Sequence, residues 1–129
     1  MVSMARALQL TGLLLCGSLL GLSASLVGCG GHNVSCDAEQ SARASTVLGL
    51  GVDAAAGADV FANTCGGGGC HGSDGISGPA PDLDEHASHF DSEGLACLLL
   101  AGTGNMPSQA NLSDQQLADV LAYVEETFL

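Results

Sequence analysis

The chain has 129 residues, of which only two are lysine or arginine and fourteen are acidic, so its formal net charge is −12. This composition excludes nucleic-acid binding, which depends on basic side chains that neutralise phosphates, and excludes membrane attachment through a basic patch. An acidic surface favours a protein partner with a basic docking surface, although it is equally compatible with a role in solubility alone.

Residues 1–28 are predicted to be a lipoprotein signal peptide. Arg6 precedes an apolar, uncharged stretch from Ala7 to Val27, and glycine and serine dilute that stretch as in an export signal. Leu26-Val27-Gly28-Cys29 resembles the lipobox of bacterial lipoproteins, in which the cysteine is acylated and becomes the first mature residue. The resemblance implies an exported protein that is lipid-anchored to a bacterial membrane through Cys29 and faces the periplasm. The alternative is an uncleaved transmembrane anchor.

Residues 29–52 follow as the acylated cysteine and a flexible tether, because they are rich in small residues without a sustained apolar period. Residues 53–129 then form the folded domain. The whole chain has three Phe, one Tyr and no Trp, so a domain of this size buries little apolar surface on its own. Domains this small usually need a disulfide, a metal or a large cofactor.

Three helices are predicted, each beginning at a residue whose side chain can accept from the free amides of the first turn. The candidate caps are Asp53, Ser92 and Ser113, and the first two helices end near Thr64 and Ala101. The last helix has a capping box and apolar residues every three or four positions over four turns. No segment has the alternation of a strand, which indicates an all-α fold.

The stretch TCGGGGCHG, residues 64–72, contains the chemistry of the chain. Two cysteines followed at once by histidine form the pattern of covalent haem attachment, although the usual gap between the cysteines is two residues. Cys65 and Cys70 are five apart, so on a helix they would point about 140° apart. The segment must therefore leave the helix, and four glycines would permit the positive φ angles of a wider loop. The alternative is a Cys65–Cys70 disulfide that closes a surface loop.

The flanking segments resemble the class I cytochrome c family. Gly57-x-x-x-Phe61 resembles its first helix, and Cys70-His71-Gly72 its attachment site. Residues 78–83, GPAPDL, resemble the loop whose proline carbonyl accepts from the proximal histidine. Residues 102–107, GTGNMP, resemble the loop of the distal methionine, and residues 112–123 the last helix.

The resemblance implies a small cytochrome c fold of three to four helices wrapped around one covalently attached haem c per chain. Cys65 and Cys70 would attach the haem, and His71 and Met106 would be the axial ligands of its iron. The Pro79 carbonyl is the preferred acceptor for His71, with Pro81 as the substitute. For Met106 the alternative is a packing residue of the loop, and for Pro79 a plain turn proline.

The implied function is electron transfer between exported or membrane redox partners, without enzymatic activity or a small-molecule substrate. A zinc-binding structural module is the alternative, because Cys65, Cys70, His86 and His89 approach a Cys2His2 pattern. His86 or His89 could also replace Met106 as the second axial ligand, although histidines in so polar a stretch usually have no such role.

Two further cysteines of the exported chain are unassigned. Cys36 and Cys97 can form a disulfide in an oxidising compartment, and this pair would tie the tether to the helix that begins near Ser92. A free Cys97, buried on an apolar helix face, is the alternative.

Overall fold

The computed structural model describes residues 34–129, and within them the chain is helical without strands. The predicted signal peptide and Cys29 lie outside the described residues. No helix in residues 34–129 is both long and apolar enough to cross a membrane. The five helices are α1 (Ala38–Leu48), α2 (Ala54–Thr64), α3 (Leu83–His86), α4 (Ser92–Ala101) and α5 (Asp114–Phe128), with a 3-10 turn at Ala87–His89.

The most extensive helix packing joins α2 to α5. Gly57 makes the close approach possible, since a Cβ atom at this position would overlap the backbone carbonyl of Asp119. One turn later the buried ring of Phe61 packs against Tyr123 and Phe128, with ring centroids 5.3 and 5.7 Å away. These contacts fix the end of α2, where the cysteine segment begins.

The helix starts agree with the predicted caps in two of three cases. Asp53 accepts from the amides of the first turn of α2, and Ser113 forms a capping box with Gln116 at α5. The prediction of Ser92 as the cap of α4 was wrong by one residue. Asp91 is the cap, because its carboxylate accepts from the Gly94 amide, while the Ser92 hydroxyl donates to Glu125.

The prediction of a flexible tether over residues 29–52 was wrong for α1. This helix begins with a capping box in which Asp37 and Gln40 each accept from the other's backbone amide. Its inward face consists of small or branched side chains, Ala44 and Val47, both fully buried against α4 and α5. Such a face lacks the large apolar stripe that indicates a helix in sequence.

Two contacts fasten α1 to the rest of the molecule. Cys36 forms a disulfide with Cys97 of α4, with Cα atoms 5.5 Å apart across a separation of 61 residues. Arg43 donates to the Asp114 carboxylate at 2.7 Å and to the backbone carbonyls of Ala110 and Leu112 at 2.8 and 2.6 Å. Arg43, which is the only arginine or lysine in residues 34–129, therefore holds α1 against the start of α5.

Candidate functional site

A cavity of about 620 Å³ lies between the helices and the two long loops. Its lining is mainly apolar and comes from α2, α3, the 3-10 turn, α4, α5 and the loops at residues 65–81 and 103–109. The volume falls within the range of about 300–1,000 Å³ that is typical of cofactor and ligand pockets. All five residues predicted to bind the haem line it: Cys65, Cys70, His71, Pro79 and Met106.

The cysteine segment leaves α2 as predicted, but not by the predicted means. Cys65 ends the helix, and its carbonyl accepts from the His71 amide at 3.1 Å, which closes the loop. None of the four glycines at residues 66–69 has a positive φ angle. A Cβ atom added at Gly67, Gly68 or Gly69 would have no other atom within 4 Å. Consecutive backbone hydrogen bonds, rather than unusual φ angles, therefore shape the loop.

Cys65 and Cys70 are free thiols in the structure, so they do not form the disulfide that was the alternative prediction. Burial, and secondarily the neighbouring Cys70, raise the pKa of the Cys65 thiol to about 11. Cys65 is therefore a neutral thiol at physiological pH. Both sulfur-bearing residues line the same cavity as His71, which is the arrangement that attachment of one cofactor through two thiols requires.

The His71 ring is oriented by a proline carbonyl, but by Pro81 rather than the predicted Pro79. Nδ1 of His71 lies 3.0 Å from the Pro81 carbonyl oxygen. Because a carbonyl only accepts, Nδ1 carries the hydrogen and Nε2 keeps a lone pair for a metal. The reason for the shift is local: the Gly78 and Ala80 amides donate to the His71 and Cys70 carbonyls, and the chain reaches the ring only after Ala80.

A turn at residues 72–78 directly follows His71 and is closed by hydrogen bonds. Gly72 has φ +81° and the amides of Ile76 and Ser77 donate to the Asp74 carboxylate at 3.2 and 2.8 Å. Hydrogen bonds from the Ser77 hydroxyl, and then from these amides, lower the pKa of Asp74 to about 2. The sequence analysis did not predict this turn around Asp74, although Asp followed three residues later by Ser is a turn pattern.

The loop at residues 102–109 presents Met106 to the cavity. Thr103 and Met106 exchange backbone hydrogen bonds of 3.0 and 2.8 Å around Gly104, which has φ +52°. The Ser108 hydroxyl and the Gln109 amide donate to the Leu100 and Leu99 carbonyls at the end of α4. Met106 is partly buried and lines the cavity.

His86 and His89 also line the cavity, with ring centroids 5.9 Å apart. The zinc alternative required these two rings to meet Cys65 and Cys70. Among residues 34–129, no three His, Cys, Asp or Glu side chains lie close enough together to hold a metal ion. The structure therefore does not assemble the Cys2His2 site.

Comparison with known protein families identifies a match over most of the described domain. The model of the family described as cytochrome c oxidase, cbb3-type, subunit III matches residues 52–124, which is more than half of the chain. The matched region contains the cysteine segment, the Pro81 loop, the Met106 loop and most of α5. No curated protein and no solved structure matches the chain.

Proposed function

Because the chain belongs to this family of class I monohaem cytochrome c domains, we propose that it is a lipid-anchored electron carrier with His71 and Met106 as the axial ligands of its haem. Binding of a c-type haem and a role in electron transfer follow from the family itself. The ligands, the anchor and the partners are the parts that we add.

The ligand assignment rests on the hydrogen bond that fixes the tautomer and the orientation of the His71 ring. Its Nδ1 hydrogen bond to Pro81 leaves Nε2 available to iron and holds the ring in one orientation. Met106 lines the same cavity on a loop that is fixed by its own hydrogen bonds. Thioether sulfur raises the reduction potential of a haem relative to a second histidine, which suits a carrier that accepts electrons readily.

The donor set of the cavity fits a c-type haem. The apolar lining excludes water from a large planar group, and Cys65 and Cys70 lie beside His71. Cys65 and Cys70 would hold the haem through thioether bonds, each formed by addition of the S–H group to a vinyl group without net oxidation. The haem would supply the Fe(III)/Fe(II) couple, and the chain would position it and set its potential.

The proposal for location and partners is supported by the sequence. Acylation of Cys29 at residues 26–29 would hold the carrier at a bacterial membrane on its periplasmic side, with residues 1–28 removed. The strong acidic excess favours redox partners with a basic docking surface, because complementary charge speeds encounter. Nothing in the composition supports a nucleic-acid partner.

Substitution of the proposed distal ligand tests the function. Met106→Ala in the haem-loaded protein is expected to lower the reduction potential on the order of 0.1 V, within the roughly 0.8 V that axial ligands span. It is also expected to open the iron to added ligands such as imidazole, measured by absorption spectroscopy. Met106→His is the matched variant, which should keep the iron closed while it also lowers the potential.

The outcome that contradicts the assignment is a Met106→Ala protein with unchanged spectra and potential. The pyridine haemochrome spectrum after acid extraction tests attachment in the same preparation. Covalent haem with two saturated vinyl groups is expected in the wild type, and one remaining vinyl group in Cys65→Ala. A wild-type spectrum equal to that of Cys65→Ala would mean that Cys70 alone attaches the haem.

A further inference from the structure

The cavity offers very little positive charge to its cofactor. Haem has two propionate carboxylates, yet residues 34–129 contain one arginine and no lysine. Arg43 is committed to Asp114 and to two backbone carbonyls, and it does not line the cavity. Burial of part of an anionic group without a compensating charge or hydrogen bond is unfavourable. The propionates therefore need donors from the cavity wall itself.

Apart from His71, only two lining side chains can become cationic, and these are His86 and His89. The other polar lining groups outside the cysteine pair are neutral, and no carboxylate is among them. These neutral groups can donate hydrogen bonds but cannot offset charge. They are Thr64, Thr103, Asn105 and Gln109.

We propose that His86 and His89 bind the haem propionates as hydrogen-bond donors and that His86 does so as a protonated, cationic ring. The inference deepens the proposed function, since it rests on a haem bound in this cavity. The two ring centroids are 5.9 Å apart, a spacing suited to two neighbouring carboxylates of one group. The pair also gives α3 and the following turn a role that the sequence analysis did not assign.

The hydrogen bond of His86 decides its charge. Its Nδ1 lies 3.2 Å from the Asp82 carbonyl oxygen, which can only accept, so the hydrogen sits on Nδ1. The neutral ring then has no hydrogen on Nε2 and cannot donate to a carboxylate. Only the imidazolium form donates from both nitrogens, and its bond to a carboxylate is charge-assisted. Binding of a propionate therefore requires proton uptake by His86.

Proton uptake couples to the redox state with a definite sign. Reduction adds one electron to the haem, and the more negative site favours the protonated ring. Histidine side chains change charge between about pH 5 and 8. Electron uptake is then accompanied by partial proton uptake, so the reduction potential falls as the pH rises through this range.

The ionisable groups on the elements packed against His86 are mainly carboxylates. On α3 and its cap they are Asp82, Asp84 and Glu85, and the following turn has His89. Helix α5, which packs against α3, has four carboxylates and Tyr123 along its length: Asp114, Asp119, Glu125 and Glu126 are the carboxylates. None of these carboxylates lines the cavity, and carboxyl groups ordinarily change charge below this pH range.

The test is potentiometric titration of the haem-loaded full-length protein at several values between pH 5 and 8. The wild-type potential is expected to fall across the range. The double variant His86→Gln/His89→Gln keeps neutral donors but loses the cationic form, so its potential should be lower at pH 5 and the pH-dependent shift should be lost. His86→Lys keeps a cationic side chain over this pH range. Its reduction potential at pH 5 should therefore be close to that of the wild type, and the potential should change less with pH than it does in the wild type.

Asp84→Asn is the control, because it changes an exposed charge on α3 that does not line the cavity. It should leave the pH-dependent shift intact. An unchanged shift in the double variant, or loss of the Met106–iron absorption on titration of the wild type, would overturn the inference. The single variants are read in the same way if the double variant does not retain haem. A colourless wild-type protein would instead refute the proposed function.

Discussion

The two ends of this domain are each stabilised by a different kind of contact. At one end α1, α4 and α5 bury Ala44, Val47 and Leu100, and the Cys36–Cys97 disulfide closes the packing. At the other end the cysteine segment and the Pro81 loop surround a cavity of about 620 Å³. Backbone hydrogen bonds connect these loops, such as those from the Gly78 and Ala80 amides to the His71 and Cys70 carbonyls.

The difference indicates a division of labour. The end that lacks the reactive residues has a covalent link and a core cluster of which only Ala87, Leu95 and Leu121 also line the cavity, so most of it can form from protein alone. The end with the reactive residues has few side chains of its own to pack, since residues 66–69 are all glycine. We infer that the cofactor completes the core at the cavity end, and three experiments separate the two ends.

Removal of the haem should have the largest effect. Without the haem, the apolar lining of the cavity of about 620 Å³ would be exposed to water, which is unfavourable. The haem-free protein is therefore expected to lose amide protection in residues 65–91 and 102–107, measured by hydrogen exchange. Residues 38–48 and 92–101 should retain more protection. A uniform loss over all helices would contradict the division.

Removal of the disulfide should have the next largest effect, and at the other end. Cys36→Ser/Cys97→Ser releases a closure across 61 residues and is expected to lower the free energy of unfolding by about 2–5 kcal/mol. Chemical denaturation measures this change. Since neither cysteine lines the cavity, the haem spectrum and potential should match the wild type. An altered potential would show that the two ends are coupled.

The smallest effect is expected from substitution of Asp74 in the turn at residues 72–78. Hydrogen bonds lower the Asp74 pKa from 3.8 to about 2, so the ionised carboxylate stabilises the folded state above pH 3.8. This contribution is lost as the pH falls towards 2. Asp74→Ala should lower the melting temperature slightly at pH 5 to 7, and the difference from wild type should vanish at pH 2. A difference that persists at pH 2 would mean that the side chain acts without its charge.

Much of the cavity end could be predicted because its residues have specific chemistry in a fixed order. The Asp53 cap, the end of α2 at Cys65 and the loop that presents Met106 could all be predicted from local sequence patterns, as could the Ser113 cap at the other end. Pro79 and Pro81 could not be separated, because the choice depends on which loop amides bond to the Cys70 and His71 carbonyls. Those bonds join segments whose relative position the sequence does not encode locally.

The other end was harder to predict because its signals are weak. Helix α1 buries mainly alanine and valine, so it has no broad apolar stripe, and only the pairing of Asp37 with Gln40 marked its start.

At the cavity end, the glycines at residues 66–69 led to the wrong prediction that the loop needs positive φ angles. They permit φ angles that the loop does not use, because ordinary turns close the distance between Cys65 and Cys70.

With Cys29 acylated as proposed, the Cys36–Cys97 disulfide would also limit how far the carrier could move from the membrane. It fixes Cys36 to the folded domain, so only six residues, 30–35, separate that point from the proposed acylation site at Cys29. Even a fully extended segment of this length spans only about 25 Å. A carrier on so short a tether would stay in a thin layer above the lipid and diffuse in two dimensions. Its electron donors and acceptors would then have to present their redox centres within that layer.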